Sequence, residues 1–227
     1  MVEGNQAHYL SKVMRTAPGG TVILCDDATG EWVCTVAEVG KRQVTLDPRE
    51  RLRKREPVPD FWLCLALLKK DRFDLVLEKA SELGVAEIRP VVTRRCVADS
   101  LNAERARSIV TEAAEQCART ALPVLAEPVP LTRLLAEWPA DRTLFFADEM
   151  GGVAAAEAFR GSAKAALLTG PEGGFDETER AAIRALPQAV PITLGPRILR
   201  GETAAIAATA LWMGVAGDWN NSLARKA

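Results

Sequence analysis

Residues 61–68 read FWLCLALL, eight apolar residues without a break. A strand with one face in water alternates apolar and polar side chains, so an unbroken run belongs to a strand covered on both faces. That commits the neighbouring chain to supplying helices above and below a sheet. The segments that follow do so. Phe73, Leu77, Ala80 and Gly84 recur at helical spacing, and Gly84 suits the position just past a helix C-terminus. EIRPVVT reads as the next strand. Asn102 can cap a helix whose Ala106, Ile109, Ala113 and Cys117 face inward. A short helix around Leu131–Trp138, the strand TLFFAD, a helix over 153–160 and the strand AALL come next. A helix over 176–186, the strand VPITL and a last helix from about 202 to 216 complete the series. Strands alternating with helices predict an α/β fold with a parallel sheet.

The first quarter of the chain has a different period. TVILCDD and EWVCTVAEV run apolar or alternate, with Asp27–Gly30 as turn material, and QVTLD follows Gly40. Residues 49–59, RERLRKREPVP, are charged and punctuated by proline, which reads as a linker. The expected division is therefore a small β domain over 1–57 and an α/β domain over 58–227. At 227 residues the chain has room for both.

Charge and cysteine usage narrow the function. The net charge is −1, so any nucleic-acid surface must be a local patch. Five cysteines, an odd number with no CxxC and no signal peptide ahead of them, read as a reducing, cytoplasmic setting. One histidine in the chain argues against a zinc site, and no metal is expected. The uncharged stretch Thr203–Gly217 is too short to span a bilayer and reads as a buried helix.

Two loops share one design. LLTGPEGGF and TLGPRILRGETA each follow an apolar strand, open with Gly-Pro and lead into a helix. Ligands of open α/β sheets bind beyond the carboxyl ends of the strands, and these two loops should lie side by side there. A nucleotide-phosphate site is excluded. There is no GK[ST], GPEGGF is not GxGxxG, and Asp176, Glu177 and Glu179 occupy the helix start where a phosphate would otherwise bind. Glu172 adds to that repulsion. A ligand that is neutral or cationic suits the loop better, and S-adenosylmethionine has adenine, a sulfonium and no phosphate. The same residues also suit a pair of tight turns with capping acids.

GPEGGF followed by LGPRILRGETA closely resembles the bacterial 16S ribosomal RNA uridine-N3 methyltransferases, of the SPOUT (trefoil-knot) superfamily. The resemblance extends to AHYLSKVMR (7–15), to KKDRFDLVLEKASELGVAEIRPVVTRRC (69–96) and to EAAEQCAR (112–119) with Pro123. It implies a small PUA-like β-barrel followed by a knotted α/β methyltransferase domain. It further implies a homodimer with S-adenosyl-L-methionine as cofactor and 16S ribosomal RNA in the small ribosomal subunit as substrate. Two departures stand out. The family opens with another strand, which is short or absent here, and Gly201 stands where the family has threonine.

The resemblance and the loop chemistry together nominate residues. Arg200 would stabilise charge on the uracil edge, and Glu202 would orient a ligand or take the N3 proton. Leu168, Thr169, Gly170, Glu172 and Gly173 of the first loop would hold the cofactor, with Leu194, Gly195, Ile198 and Leu199 of the second. Glu172 would pair with the cofactor's amino group or with Arg200, and Ala147–Glu149 would form a third wall. His8, Arg15, Lys69, Lys70, Arg72, Arg94, Arg119 and Arg197 would contact RNA. Of these, Arg119 is expected on the polar face of the helix that carries Glu115 and Gln116. Two other readings stay open: a SPOUT methyltransferase acting on another RNA nucleotide, and a non-catalytic RNA-binding ribosome-assembly protein.

Overall fold

The computed structural model describes residues 1–98 and 100–221. The chain forms two compact units, one made of Met1–Pro57 with Arg119–Ala121 and one of Val58–Ala118 with the chain from Leu122 onward.

The first unit is an antiparallel sheet of four strands. β1 (Val2–Glu3) leads into α1 (Gly4–His8), which continues as a π-helical turn over Tyr9–Val13. β2 (Thr21–Asp26), β3 (Gly30–Val39) and β4 (Gln43–Lys54) follow, and the sheet order is β1-β4-β3-β2. Val2, Ala7, Cys34, Val36, Val44 and Leu46 pack its core. β1 is only two residues long, pairing Val2 with Val44. The expected linker is corrected in part: Arg49–Lys54 are the second half of β4, paired with Gly30–Val33 of β3. Cross-strand pairing overrides the low strand propensity of that charged run. Arg53, for instance, reaches Glu31 on the neighbouring strand at 2.7 Å. Residues 119–121 join this unit through Glu56, whose Oε1 accepts from the N–H groups of Thr120 at 3.0 Å and Ala121 at 3.3 Å.

The second unit carries a parallel sheet. Its strands are β5 (Phe61–Ala66), β6 (Glu87–Val92), β7 (Val124–Leu125), β8 (Val129–Pro130), β9 (Thr143–Ala147), β10 (Val153–Ala154), β11 (Ala165–Thr169) and β12 (Ala189–Thr193). The order is β10-β12-β9-β11-β5-β6-β7, with β8 pairing the far end of β6. The helices are α2 (Lys70–Glu82), α3 (Ala103–Gln116), α4 (Leu131–Ala136), α5 (Ala155–Ala158), α6 (Glu177–Ala185) and α7 (Gly201–Val215). Phe61, Leu63 and Leu65 of β5 point into one apolar core with Leu77 of α2 and Trp212 of α7. Cys64 points to the other, with Leu134 of α4 and Ile183 of α6. This is the two-sided burial that the unbroken run demands. Burial pushes the Cys64 thiol up to about 12, so it stays an inert thiol.

Local signals set the helix ends. Gly84 takes a φ of 93° just past α2, and Asn102 Oδ1 accepts from the Arg105 N–H at 2.9 Å to start α3. The helix expected over 153–160 is shorter than its pattern. Gly152 hugs β12 so closely that a Cβ there would lie 2.2 Å from the Pro191 carbonyl oxygen. That contact draws 153–154 into the sheet as β10 and leaves only Ala155–Ala158 helical.

Trp212 ties α7 to the sheet. Its ring stacks on Phe61 at 4.4 Å and its Nε1–H donates to Ser162 Oγ at 3.0 Å. Trp212→Ala should cost about 3–5 kcal/mol of unfolding free energy, read from urea denaturation. Trp212→Phe, which keeps the stack but removes the donor to Ser162 Oγ while that hydroxyl keeps its bond to the Phe159 carbonyl, should cost less than half of that. Equal losses would show that the hydrogen bond, not the packing, holds the helix.

Candidate active site

A parallel sheet places all its strand C-termini at one edge. Ala147 of β9, Thr169 of β11 and the end of β12 meet there around a cleft of about 550 Å³. The strands that lead into the two Gly-Pro loops are not adjacent, because β9 lies between β11 and β12, yet the second loop crosses back to meet the first at Gly201 and Gly170. The Ala147-Asp148-Glu149 turn therefore forms the middle of the cleft, flanked by one loop on each side.

The first loop shows where its acids go. Asp176 accepts from the Glu179 N–H at 2.7 Å and Glu179 returns a bond to the Asp176 N–H at 3.1 Å, a reciprocal cap on α6. Glu179 also accepts from the Arg94 N–H at 2.7 Å, and the Arg94 guanidinium reaches Asp176 at 3.0 Å. The Glu179 N–H, aided by Arg94, holds the Asp176 carboxyl below the usual carboxylate range. Glu172 does not meet Arg200. Its Oε1 accepts from the Lys69 N–H at 3.0 Å, at the start of α2, a helix with no side-chain cap from its own N-cap residue. Gly170 lies over Phe175, where a Cβ would approach the ring to 3.2 Å.

The second loop crosses back over the sheet edge. Gly195 has a φ of 107°, and Arg197, Ile198 and Arg200 are exposed, Ile198 by 84%. The chain then enters α7 against the first loop. A Cβ on Gly201 would lie 2.9 Å from the Gly170 carbonyl oxygen and 3.0 Å from Leu68 Cδ2. Threonine has no room there unless the backbone at Gly170 shifts.

The floor of the cleft is polar and buried. Asp148 is held by Arg180 at 3.1 Å and Arg184 at 2.6 Å, and Glu149 meets Arg180 at 2.9 Å. Glu202 is 4% exposed and pairs with Arg72 Nη1 at 3.2 Å. Its Oε2 and the Thr169 Oγ1 are buried without a hydrogen-bond partner. Buried polar atoms normally find partners, so both mark positions where a ligand donor would be satisfied.

Of the residues nominated by the sequence, the cleft brings together Thr169, Gly170, Glu172, Leu194, Gly195, Ile198, Leu199, Arg200 and Glu202, with Lys69, Arg72 and Arg197 at its rim. The others lie elsewhere. The Leu168 side chain packs in the core on the α4–α6 face of the sheet, and Gly173 turns its carbonyl to Arg95 Nη1 at 2.9 Å. Lys70 is exposed at the start of α2, and Arg94 braces α6. His8 and Arg15 lie in the first unit, where His8 lines a hollow with Lys12, Lys41 and Arg42. Arg119 is not on the polar face of α3. It lies beyond the helix end with its side chain buried, 3.8 Å from Glu56, and so is withdrawn as an RNA contact. Arg180 was not legible in the sequence, because its partners come from β9 and no local motif marks it.

Two measurements test this geometry. Gly201→Thr should lower stability by about 1–3 kcal/mol through overpacking, read from the urea midpoint. An unchanged midpoint would show that the Gly170 loop yields freely. Asp176 has a lowered folded-state pKa, so its stabilisation is complete above the unfolded carboxylate value and fades as pH falls through the folded one. The difference in melting temperature between wild type and Asp176→Asn should be full at neutral pH and close below about pH 4. A gap independent of pH would remove the charge from the cap.

Residues 54–213 match the RNA methyltransferase domain family and residues 2–49 match the RNA methyltransferase PUA domain. The chain is 31% identical over 227 aligned positions to ribosomal RNA small subunit methyltransferase E of Mycobacterium tuberculosis, covering 92% of this chain and 83% of that protein. It is 28% identical to the protein of the same name from Rickettsia conorii, covering 92% and 87%. Among solved structures, ribosomal RNA small subunit methyltransferase E of Neisseria gonorrhoeae bound to S-adenosyl methionine superposes with a TM-score of 0.83 at 26% identity, covering 96% and 92%. A Legionella pneumophila methyltransferase in complex with the same cofactor superposes with a TM-score of 0.80 at 29% identity, covering 92% and 88%. With an antiparallel PUA sheet ahead of a parallel α/β sheet that carries this cleft, the chain belongs to the ribosomal RNA small subunit methyltransferase E family.

Proposed function

We propose that this protein transfers a methyl group from S-adenosyl-L-methionine to N3 of one uridine in 16S ribosomal RNA of the small subunit. It works as a cytoplasmic homodimer, with residues 1–57 gripping RNA and residues 58–227 performing the transfer. The observation that carries this reading is the cleft at the carboxyl edge of the sheet. It is large enough for a nucleoside-sized ligand, holds two unsatisfied buried acceptors and is rimmed by cations.

The residues present suit this cofactor. Thr169 Oγ1 and the carbonyls of the glycine loops can receive its amino groups, Leu194 and Leu199 can cover adenine, and the acids near the floor favour a cation over a phosphate. When bound, it supplies a sulfonium methyl whose transfer forms the N3–CH₃ bond, breaks the S–CH₃ bond, leaves a thioether and requires loss of the N3 proton. The protein's part is to bind, orient and manage charge. Arg200 is exposed at the N-terminus of α7, and its side chain has no ion-pair partner among the described residues. It is free to meet the uracil edge as negative charge develops there. Lys69 and Arg197 at the rim, with Lys70 and Arg94 of the same unit, offer phosphate contacts that position RNA without reading its sequence, and His8 and Arg15 of the first unit offer others.

The test uses labelled cofactor and small subunits from a strain lacking the modification, with the product mapped by mass spectrometry. Methyl on N3 of a single 16S uridine is the expected result. Arg200→Ala should lower kcat about 10²–10³-fold with cofactor affinity retained. Full methylation by that variant would remove Arg200 from the reaction. Methyl on a different nucleotide would change the substrate, and cofactor binding with no transfer would make the protein a non-catalytic RNA binder.

A further inference from the structure

Glu202 lies too deep to serve as a freely exchanging base: it is 4% exposed, with Oε1 on Arg72 and Oε2 facing no donor among the described residues. It is in the first turn of α7, where the helix dipole favours a carboxylate, and Arg72 is its ion-pair partner. Arg72 is placed less comfortably. It occupies the first turn of α2 behind Lys69 and Lys70, at a helix end that disfavours positive charge. A cation there is retained by a specific partner, and Glu202 is that partner. The two ends of the pair differ sharply: the Glu202 side chain is 6% exposed and that of Arg72 is 47% exposed. Glu202 thus holds the guanidinium at Nη1, on a residue that lines the cleft and whose other N–H donors are not used by Glu202. Removing Arg72 would leave a buried carboxylate uncompensated, and this keeps the arginine from swinging out to solvent. Arg200, which also lines the cleft, has no ion-pair partner among the described residues.

We propose that Glu202 is a positioning residue and that Arg72, held by it, is a second catalytic cation donating hydrogen bonds to the uracil edge as that edge loses its N3 proton to solvent water. The inference rests on the transferase reading above. A donor fixed before the reaction stabilises developing charge without reorganisation, which is what a tethered arginine provides and a free one does not. Glu202 acts through Arg72, so the two residues form one unit.

The experiment is a double-mutant cycle on the full chain with unmodified small subunits and saturating cofactor. Glu202→Gln and Arg72→Ala should each lower kcat about 10²-fold, leave KM for subunits within about threefold and leave cofactor affinity, measured by calorimetry, unchanged. The double variant should be no worse than the poorer single one, because both break the same unit. Arg72→Lys, which keeps the charge and the fold, should recover part of the rate. Arginine side-chain NMR supplies a readout independent of turnover: the Arg72 Nε–Hε signal should be rigid in wild type and averaged in Glu202→Gln. Multiplicative losses in the double variant would overturn the proposal and return Glu202 to the role of proton acceptor. A rigid Arg72 signal in Glu202→Gln, or variants that lose melting temperature but keep kcat, would make the pair purely structural. Absence of transfer by the wild type would overturn the transferase reading itself, and the pair's role with it.

Discussion

The contact on which this site depends is the near-touching of two backbones at Gly201 and Gly170. The segment after β12 must pass the ends of β9 and β11 before α7 can bury Ala205, Ala208 and Trp212 against the sheet. It does so with no side chain at position 201, at a distance where a Cβ would press on the Gly170 carbonyl. Every wall of the cleft follows from that passage. It brings the loop 194–200 over the edge of the sheet, places Arg200 at the helix N-terminus and lowers Glu202 into the space beside α2. The polar groups of the cleft gather around this passage.

Electrostatics divide the site into spent and unspent charge. Asp176 and Glu179 are consumed in capping α6, Glu172 in satisfying the start of α2, and buried Asp148 in ion pairs with Arg180 and Arg184. Four acids around the loop thus serve structure first. Two of them still shape what can bind, because Asp148 and Glu172 line the cleft and disfavour a phosphate beside them. What remains unspent is a small set: the Arg200 guanidinium, the outward edge of Arg72, and two buried oxygens on Thr169 and Glu202. A transferase needs little more than this from its own side chains, since orientation and charge stabilisation are its main contributions.

The sequence was most legible where physics is local. The unbroken Phe61–Leu68 run, the Asn102 cap, Gly84 and the acids at 176–179 each gave the right element in the right place, because each depends on neighbours within a few residues. It misled where strands recruit distant partners. Arg49–Lys54 look like a linker until β3 pairs with them, and residues 153–154 look helical until Gly152 packs on β12. The same divide runs through the site. The Gly-Pro loops marked the cleft, but Arg119 lies past the end of α3 beside Glu56 and not on the polar face of the helix, and Arg180 enters the cleft from a different element.

Local pattern and composition by themselves determined a parallel α/β unit behind a small β unit, a ligand edge at two glycine loops and a preference there for a ligand without phosphate. These follow from periodicity, capping chemistry and charge, which act over a few residues. Tertiary structure alone decided that β9 would separate the strands that lead into the two loops, that Glu202 would be buried against Arg72 and that Gly201 would have no room for a side chain. Those outcomes depend on strand order and on a crossing between segments some thirty residues apart. No local pattern encodes such a crossing, because its energy appears only once both segments have packed.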